Sequence, residues 1–228
     1  MYPSCSNDKE IFKIDPHIHT AEVSPCGQLS AAEIVQRYHE QGYHGLLITD
    51  HMHEEYINGL PCKNEWQACV QHFLQGYQNA KAAGEPLGMK ILLGVEVRFI
   101  DNDCDYLLIG VDEAFLYNNP YFHMRTLCEF YHMFGDQLLI IQAHPYRYND
   151  HVQVEHIHGF EIHNTNPRHD SRNKLAQDLF REHPSKFTFA GSDTHRVGDE
   201  CQTQMWLHEA VHDAKALRDV VLKQKYHL

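Results

Sequence analysis

An α/β fold built from parallel strand–helix units, closed or nearly closed into a barrel, is what this sequence predicts. Three observations carry the prediction. The chain has 228 residues, enough for one domain to bury a large core without disulfides or structural metals. Apolar, strand-like runs alternate with amphipathic helical stretches about seven times, the rhythm of parallel βα units. The polar residues able to do chemistry fall at or just past the C-terminal ends of those runs, where a barrel of this kind gathers its loops. An open doubly wound sheet meets the first two observations equally well. No repeat, low-complexity tract or linker interrupts the chain, so residues 1–228 are read as one domain.

Taken in order, Ile11-Phe12-Lys13-Ile14 forms a short first strand. Ser30-Ala-Ala-Glu33 is a capping box that opens a helix, with Ile34, Val35 and Tyr38 on one face and Gly42 closing it. Gly45–Thr49 is a continuous apolar run, as expected of a strand covered on both sides. A longer helix spans Lys63 to Ala83 and stops at Gly84. Lys90–Val97 and Tyr106–Val111 read as strands, and a helix near Tyr121–Phe134 precedes the apolar run Gln137–Gln142. Gly159–Ile162 is a strand, Ser171–Glu182 a helix and Lys186–Gly191 a strand. A weaker strand at Gln204–His208 and a helix over His212–Gln224 finish the chain.

Composition narrows the function classes. With 31 Asp+Glu against 19 Lys+Arg the formal charge is −12, the opposite of the basic footprint that a nucleic-acid backbone requires. A small phosphorylated substrate stays open, because bound cations would invert the local charge. The cysteines (Cys5, Cys26, Cys62, Cys69, Cys104, Cys128 and Cys201) are odd in number and show no C-x-x-C pair, which suits free thiols in a reducing compartment. Residues 1–10 lack the apolar centre of a signal peptide, and no stretch is long and apolar enough for a membrane span. A cytoplasmic protein with no membrane partner is expected. Twenty histidines are the anomaly, and only their placement can explain them.

His17-Ile18-His19 lies on extended backbone, where side chains two apart point the same way, so two imidazoles can grip one divalent ion. Thr49-Asp50-His51 adds a third imidazole, with a carboxylate beside it able to orient a ligand. Glu96 sits inside an apolar strand, where an unpaired carboxylate is very costly, so it must be paired or ligate a metal. His144 ends a strand before Pro145, and Asp193-Thr-His195 repeats the alternating pattern with one oxygen and one nitrogen donor. Mixed His, Asp and Glu donors without Cys suit Zn²⁺, Mn²⁺ or Fe²⁺ over Ca²⁺ or Mg²⁺. Six such donors exceed what one catalytic ion needs, so two or three metals are expected, with Glu96 as a bridge. Arg147, Arg168 and Asn164, on loops at the same end, are candidate substrate contacts, since the guanidinium fork matches phosphate. Arg98 is a further option or a charge partner of Glu96. His44, His151, His156, His158, His208, His212 and His227 fit no such pattern and read as surface or satisfied core residues.

The ordered set H-x-H-T, T-D-H, G-x-E, A-H-P and G-S-D-x-H, spread over nearly the whole chain, resembles the polymerase-and-histidinol-phosphatase (PHP) superfamily. The resemblance implies a distorted (β/α)7 TIM-like barrel, a two- or three-metal centre and phosphoester hydrolysis. It implies that His17, His19, Glu96 and Asp193 hold one metal, Glu96 and His144 a second, and His51 and His195 a third. Two positions depart from the family's pattern. Its further His or Asp after H-x-H-T has Glu22 as the nearest substitute here, and its His near the fourth strand has Asp105. Without them the centre is dinuclear. The implied mechanism uses a bridging water, turned into hydroxide between two cations, to attack phosphorus in line. His195 or Asp193 would relay the proton.

Two other readings remain open. Amidohydrolase-like barrels also begin with His-x-His but cleave C–N or C–O bonds and lack the terminal S-D-x-H pair. A non-catalytic metal-binding regulatory domain would keep the ligands without turnover. Metal ligands do not fix the substrate, nor does the sequence fix the oligomeric state. The acidic chain does predict that duplex DNA, incubated with the metal-loaded protein, is not degraded rapidly; fast cleavage on a gel would refute that.

Overall fold

The computed structural model describes residues 11–150 and 152–228; Cys5 and His151 lie outside the described residues. The N-terminal part runs β1 (Phe12–Ile18), α1 (Ala31–Glu40), β2 (Gly45–Ile48), β3 (His51–Met52), α2 (Glu54–Gly59) and α3 (Trp66–Gly84). Then follow β4 (Lys90–Leu93), β5 (Val95–Arg98), β6 (Asp105–Ile109), α4 (Glu113–Asn118), α5 (Leu127–Phe134) and β7 (Leu139–Gln142). The chain ends with β8 (Gly159–Asn164), α6 (Asn173–Glu182), β9 (Phe187–Gly191), β10 (Met205–Leu207), α7 (Ala214–Leu222) and β11 (Tyr226–His227). Among the described residues no helix is long and apolar enough to cross a membrane.

The strands form a mixed α/β structure with two sheets, ordered β11-β10-β1-β2-β4 and β3-β5-β6-β7-β8-β9. Parallel pairs dominate the parts that carry the predicted ligands: β1 with β2, β2 with β4, β3 with β5, β7 with β8 and β8 with β9. Backbone hydrogen bonds join the sheets at two places. Gly94 N–H donates to Ile48 O (2.8 Å) and Glu96 N–H to Asp50 O (3.1 Å); elsewhere His19 N–H donates to Thr194 O (3.0 Å) and Asp193 N–H to His17 O (2.9 Å).

Local sequence explains the elements that form as expected. The Ser30/Glu33 capping box is made in full, and α1 buries Ile34, Val35 and Tyr38. In α3 the buried residues Trp66, Cys69, Val70, Phe73 and Leu74 follow helical spacing. Alternation in the strands divides the core. Leu46, Ile48 and Ile91 join Ile34, Val35, Tyr38 and Ala80 of the flanking helices. Leu47 and Leu92 turn the other way, into a cluster with Leu107 and Ile109 of β6, Leu139 and Ile141 of β7 and Phe189 of β9. Both sheets thus contribute to one shared interior.

Three expectations need correcting. The strand read as Lys90–Val97 is two strands in different sheets, separated at Gly94, where a Cβ would stand 2.9 Å from the side chains of both Leu47 and Thr49. The helix near Tyr121–Phe134 is broken: a 3₁₀ turn at Phe122–Met124 ends before Thr126, which starts α5 with its own capping box. Most consequentially, the strands are not all parallel, because β6 is antiparallel to both β5 and β7. Only residues 99–104 join β5 to β6, far too few for the crossover that a parallel pair needs. The short elements β3, α2, α4 and β11 were not foreseen; their two to six residues carry too little periodicity to read.

Close packing of α3 on the loop after β1 generates a stability test. A Cβ at Gly76 would lie 2.2 Å from Thr20 Oγ1 and 2.5 Å from Asp50 Oδ2. Helix propensity favours alanine over glycine by about 1 kcal/mol, but overpacking costs about 1–3 kcal/mol and a broken buried hydrogen bond about 1–3 kcal/mol more. Gly76→Ala should therefore destabilise the fold in urea titration, whereas propensity alone predicts the reverse.

Candidate metal centre

Pro16 cannot donate to a strand ladder, and the β1–β2 register slips between Asp15 and Ile18 at this point. Asp15 Oδ1 accepts from His17 N–H (3.1 Å) and Ser192 N–H (3.2 Å), while Tyr38 OH donates to Oδ2 (2.8 Å). Tyr38 OH also bonds Ser192 Oγ and Thr194 Oγ1, each at 2.8 Å. This buried polar knot fixes the H-x-H segment against the segment that carries Asp193.

Above it, Glu96 of β5 is only 1% exposed and stands among four imidazoles. Oε1 lies 3.3 Å from His17 Nε2 and 3.2 Å from His144 Nε2; Oε2 lies 3.3 Å from His19 Nε2 and 2.9 Å from His51 Nδ1. Asp193 Oδ1 is 3.5 Å from His17 Nε2 and 3.3 Å from both His19 Nε2 and His195 Nδ1. Burial alone would raise both carboxyls, but the imidazoles, with Arg147 beside Asp193, hold both well below the usual range. Two ionised carboxylates therefore sit in a buried, histidine-lined space. His144 (φ 28°) and Asp193 (φ 56°) both adopt left-handed backbone, a strain of the kind that clusters at functional sites.

Hydrogen bonds outside the cluster set the tautomers. His17 Nδ1–H donates to Glu161 Oε1 (2.9 Å), and His195 Nδ1–H donates to Asp193 O (2.8 Å). Ser24 OH donates to Asp50 Oδ1 (2.7 Å), so its oxygen is left to accept from His19 Nδ1–H (3.3 Å). In each ring the Nε2 lone pair is thereby freed, the arrangement found where histidines bind metals. His17 Nε2, His19 Nε2, His51 Nδ1 and Glu96 Oε2 are buried without a hydrogen-bond partner. Such orphaned atoms are costly unless something fills the space between them. Three donor groups satisfy the reach of a single ion, each with its atoms within 4.8 Å of one another: His17/Glu96/His144, His17/His19/Asp193 and His19/His51/His195. The residues fit divalent metal ions.

The structure thus brings His17, His19, His51, Glu96, His144, Asp193 and His195 together. It does not bring Glu22 to them: both its oxygens accept from Ala31 N–H (3.1 and 3.0 Å) at the start of α1, and Asn79 Nδ2–H donates to it as well (3.2 Å). Asp105 does reach the site, because the reversal of β6 turns the strand's first residue toward it. Its oxygens, however, are engaged by Arg98 Nε (3.0 Å) and Nη2 (3.1 Å).

A cavity of about 220 Å³ opens over the cluster, walled by Cys26, His51, Glu96, Asp193 and His195 and by Arg98, Arg147, Arg168 and Arg196. Arg147 Nη2 is 2.7 Å from Asp193 Oδ2 and 2.6 Å from Asn164 Oδ1, and Arg168 pairs with Asp199. Asn164 is buried behind Arg147, its amide donating to Glu161 Oε2 (2.9 Å) and Asp193 Oδ2 (3.4 Å). It does not line the cavity, although the sequence marks it as a candidate substrate contact.

Three contributors escaped the sequence reading. Glu161 is fully buried; besides His17 it holds His144, whose N–H donates to Oε2 (2.9 Å). A Glu inside Gly-Phe-Glu-Ile is the same signal that singled out Glu96, so it was findable. Cys26 was not, since nothing in Pro25-Cys26-Gly27 marks it. Burial pushes its thiol up, but bonds to His195 and His51 bring it down to about 6. Arg196 is exposed at the cavity mouth, and its guanidinium makes no ion pair among the described residues.

The fold is shared with solved proteins of low sequence identity. The chain aligns with a TM-score of 0.67 to a two-domain protein from Bacteroides vulgatus containing a predicted PHP-like metal-dependent phosphoesterase, at 16% identity. That alignment covers 96% of this chain but 65% of the other, so this chain spans just under two thirds of that protein. A candidate metal-dependent phosphoesterase from Bifidobacterium adolescentis aligns at 0.55 and 15% identity, covering 92% of this chain and 96% of that one. An amidohydrolase from Chromobacterium violaceum, solved with sulfate and no metal, aligns at 0.54 and 16% identity, covering 94% and 97%. At these identities the likeness is one of fold. No curated protein matches the sequence. The PHP domain model matches residues 15–215, a span that holds every convergent ligand described above, and the chain belongs to the PHP domain family.

Proposed function

We propose that this protein is a metal-dependent phosphoesterase that hydrolyses a small phosphorylated metabolite or nucleotide. The observation that carries the reading is Glu96, ionised between four imidazoles and sharing one small cavity with four arginines. His17, His19, Glu96 and Asp193 would hold one ion and Glu96 and His144 a second; His51 and His195 would hold a third with Cys26 in the place of Glu22 and Asp105, and without Cys26 the centre would be dinuclear. The donor set favours Zn²⁺, Mn²⁺ or Fe²⁺, and a thiol at the third position tilts that position toward Zn²⁺. When bound, the ions supply a nucleophile at neutral pH and neutralise charge on the phosphoryl group. The shared interior of the two sheets and the hydrogen bonds joining their edges support one distorted (β/α)7 barrel around that centre.

The chain's own residues do the remaining work. Arg147, fixed by Asn164 and Asp193, presents a guanidinium that cannot swing away, and Arg168 is braced by Asp199. Arg196, unpaired, is the cation with most to gain from an incoming phosphate. His195 keeps its proton on Nδ1 through the Asp193 carbonyl, so its Nε2 lone pair would serve the third ion where that position is filled and would relay a proton where the centre is dinuclear. The cavity volume suits a small ester and excludes a duplex. Six free cysteines among the described residues support a cytoplasmic setting.

Two measurements test this. Adding Zn²⁺ or Mn²⁺ to the chelated protein should raise its stability, by about 2.7 kcal/mol at a hundredfold excess over Kd, and Glu96→Gln should abolish most of that gain; thermal midpoints indifferent to chelator would remove the metal centre. Phosphate release should appear on a panel of phosphomonoesters and phosphodiesters, vanish in Asp193→Ala, and show a KM raised roughly tenfold or more in Arg196→Ala with metal content unchanged. Hydrolysis confined to amides or lactones would overturn the reading, as would bound metal without turnover.

A further inference from the structure

Remote from that cavity, Cys128 and His132 occupy positions i and i+4 of α5, so their side chains share one face of the helix. The segment before β8 brings His156 to the same face. Its backbone is left-handed (φ 59°), a conformation that costs a non-glycine residue about 1–2 kcal/mol and that here aims the ring at α5. Cys128 Sγ and His156 Nε2 are 3.5 Å apart. The three donor atoms of Cys128, His132 and His156 all lie within 4.8 Å of one another.

These distances have a chemical meaning. Tetrahedral Zn²⁺, with Zn–S of about 2.3 Å and Zn–N of about 2.0–2.1 Å, sets S and N roughly 3.5 Å apart. The sulfur–nitrogen spacing is already that of two ligands on one ion. The His132 and His156 rings approach at 5.4 Å with a 59° tilt rather than stacking, so their edges can converge. The His132 ring makes no hydrogen bond among the described residues. Neighbouring groups do not compete: Glu129 is bonded to the Thr126 cap, and His158 Nδ1 accepts from Ile140 N–H. We propose that Cys128, His132 and His156 form a second, peripheral metal site that takes a thiophilic divalent cation, Zn²⁺ foremost, with solvent in the fourth position.

A thiolate with two imidazoles selects Zn²⁺ or Co²⁺ over Mg²⁺, Ca²⁺ and Mn²⁺. An ion there would pin the far end of the β7–β8 connection to α5. That connection begins with His144 and Arg147, so the clip would restrain the segment that leads out of the main centre. The proposal stands apart from the phosphoesterase reading and uses none of its residues.

The test uses the full chain and cobalt as the probe. In a Cys26→Ser background, which removes the thiol beside the main centre, Co²⁺ titration of the chelated protein should develop a near-ultraviolet sulfur-to-cobalt charge-transfer band that is lost on adding Cys128→Ser or His156→Gly. The glycine accepts the left-handed backbone, so that variant keeps its fold. Metal analysis after Zn²⁺ loading should find one equivalent fewer in Cys128→Ser than in the parent, with phosphate release at saturating Mn²⁺ unchanged. A band that survives Cys128→Ser in that background, or a stoichiometry unaltered by Cys128→Ser and His156→Gly alike, would overturn the site. So would the absence of any band once Cys26 is serine.

Discussion

A single buried carboxylate organises the functional end of this molecule. Glu96 puts two imidazoles on each of its oxygens, and a carboxylate so enclosed is tolerable only while charge surrounds it. Its position depends on a bend in the backbone. At Gly94 the strand leaves one sheet and resumes in the other, which carries Glu96 into the space between β1 and β7. A side chain at Gly94 would strike Leu47 and Thr49, so the bend and the site share one steric requirement.

Around this centre the fold uses polar residues as carefully as apolar ones. Each ring that faces Glu96 from the H-x-H segment is held from behind by an acid: Glu161 directly on His17, and Asp50 through Ser24 on His19. Asp15, Tyr38, Ser192 and Thr194 lock the backbones underneath. The supporting residues come from α1, β1, β8 and the segments after β2 and β9, so the ligands keep their spacing only if the whole sheet arrangement is intact. This makes the site rigid before any ion arrives, the condition under which a metal binds without also having to order its ligands.

Much of this was legible in the chain. Period-two and period-3.6 patterning located the longer elements, and the chemistry-bearing residues fell at strand ends because parallel strands send their loops one way. What escaped has physical causes. The reversal of β6 leaves no mark in its own residues, since an apolar buried strand looks alike in either direction; only the shortness of residues 99–104 betrays it. Cys26 lies in an irregular loop with no period to expose it. Glu22 was a natural substitute by proximity along the chain, but a carboxylate three residues past His19 sits beside the N-terminus of α1, whose unpaired N–H groups claim it. His156 read as an ordinary surface residue because its partners on α5 lie far away in sequence.

The reversed strand has one more consequence. In an all-parallel arrangement every loop at the working end must be followed by a helix and a return. Here residues 99–104 instead form a plain hairpin connection whose two ends, Arg98 and Asp105, both border the cavity. The connection also holds the start of α5: Asp101 Oδ1 accepts from Leu127 N–H (3.1 Å), and Phe99 packs against Phe130 of that helix, ring centroids 4.9 Å apart. A change in this hairpin is therefore felt in two places at once, at the rim of the cavity and at the first turn of α5, so one short turn couples the mouth of the site to the packing of a helix outside it.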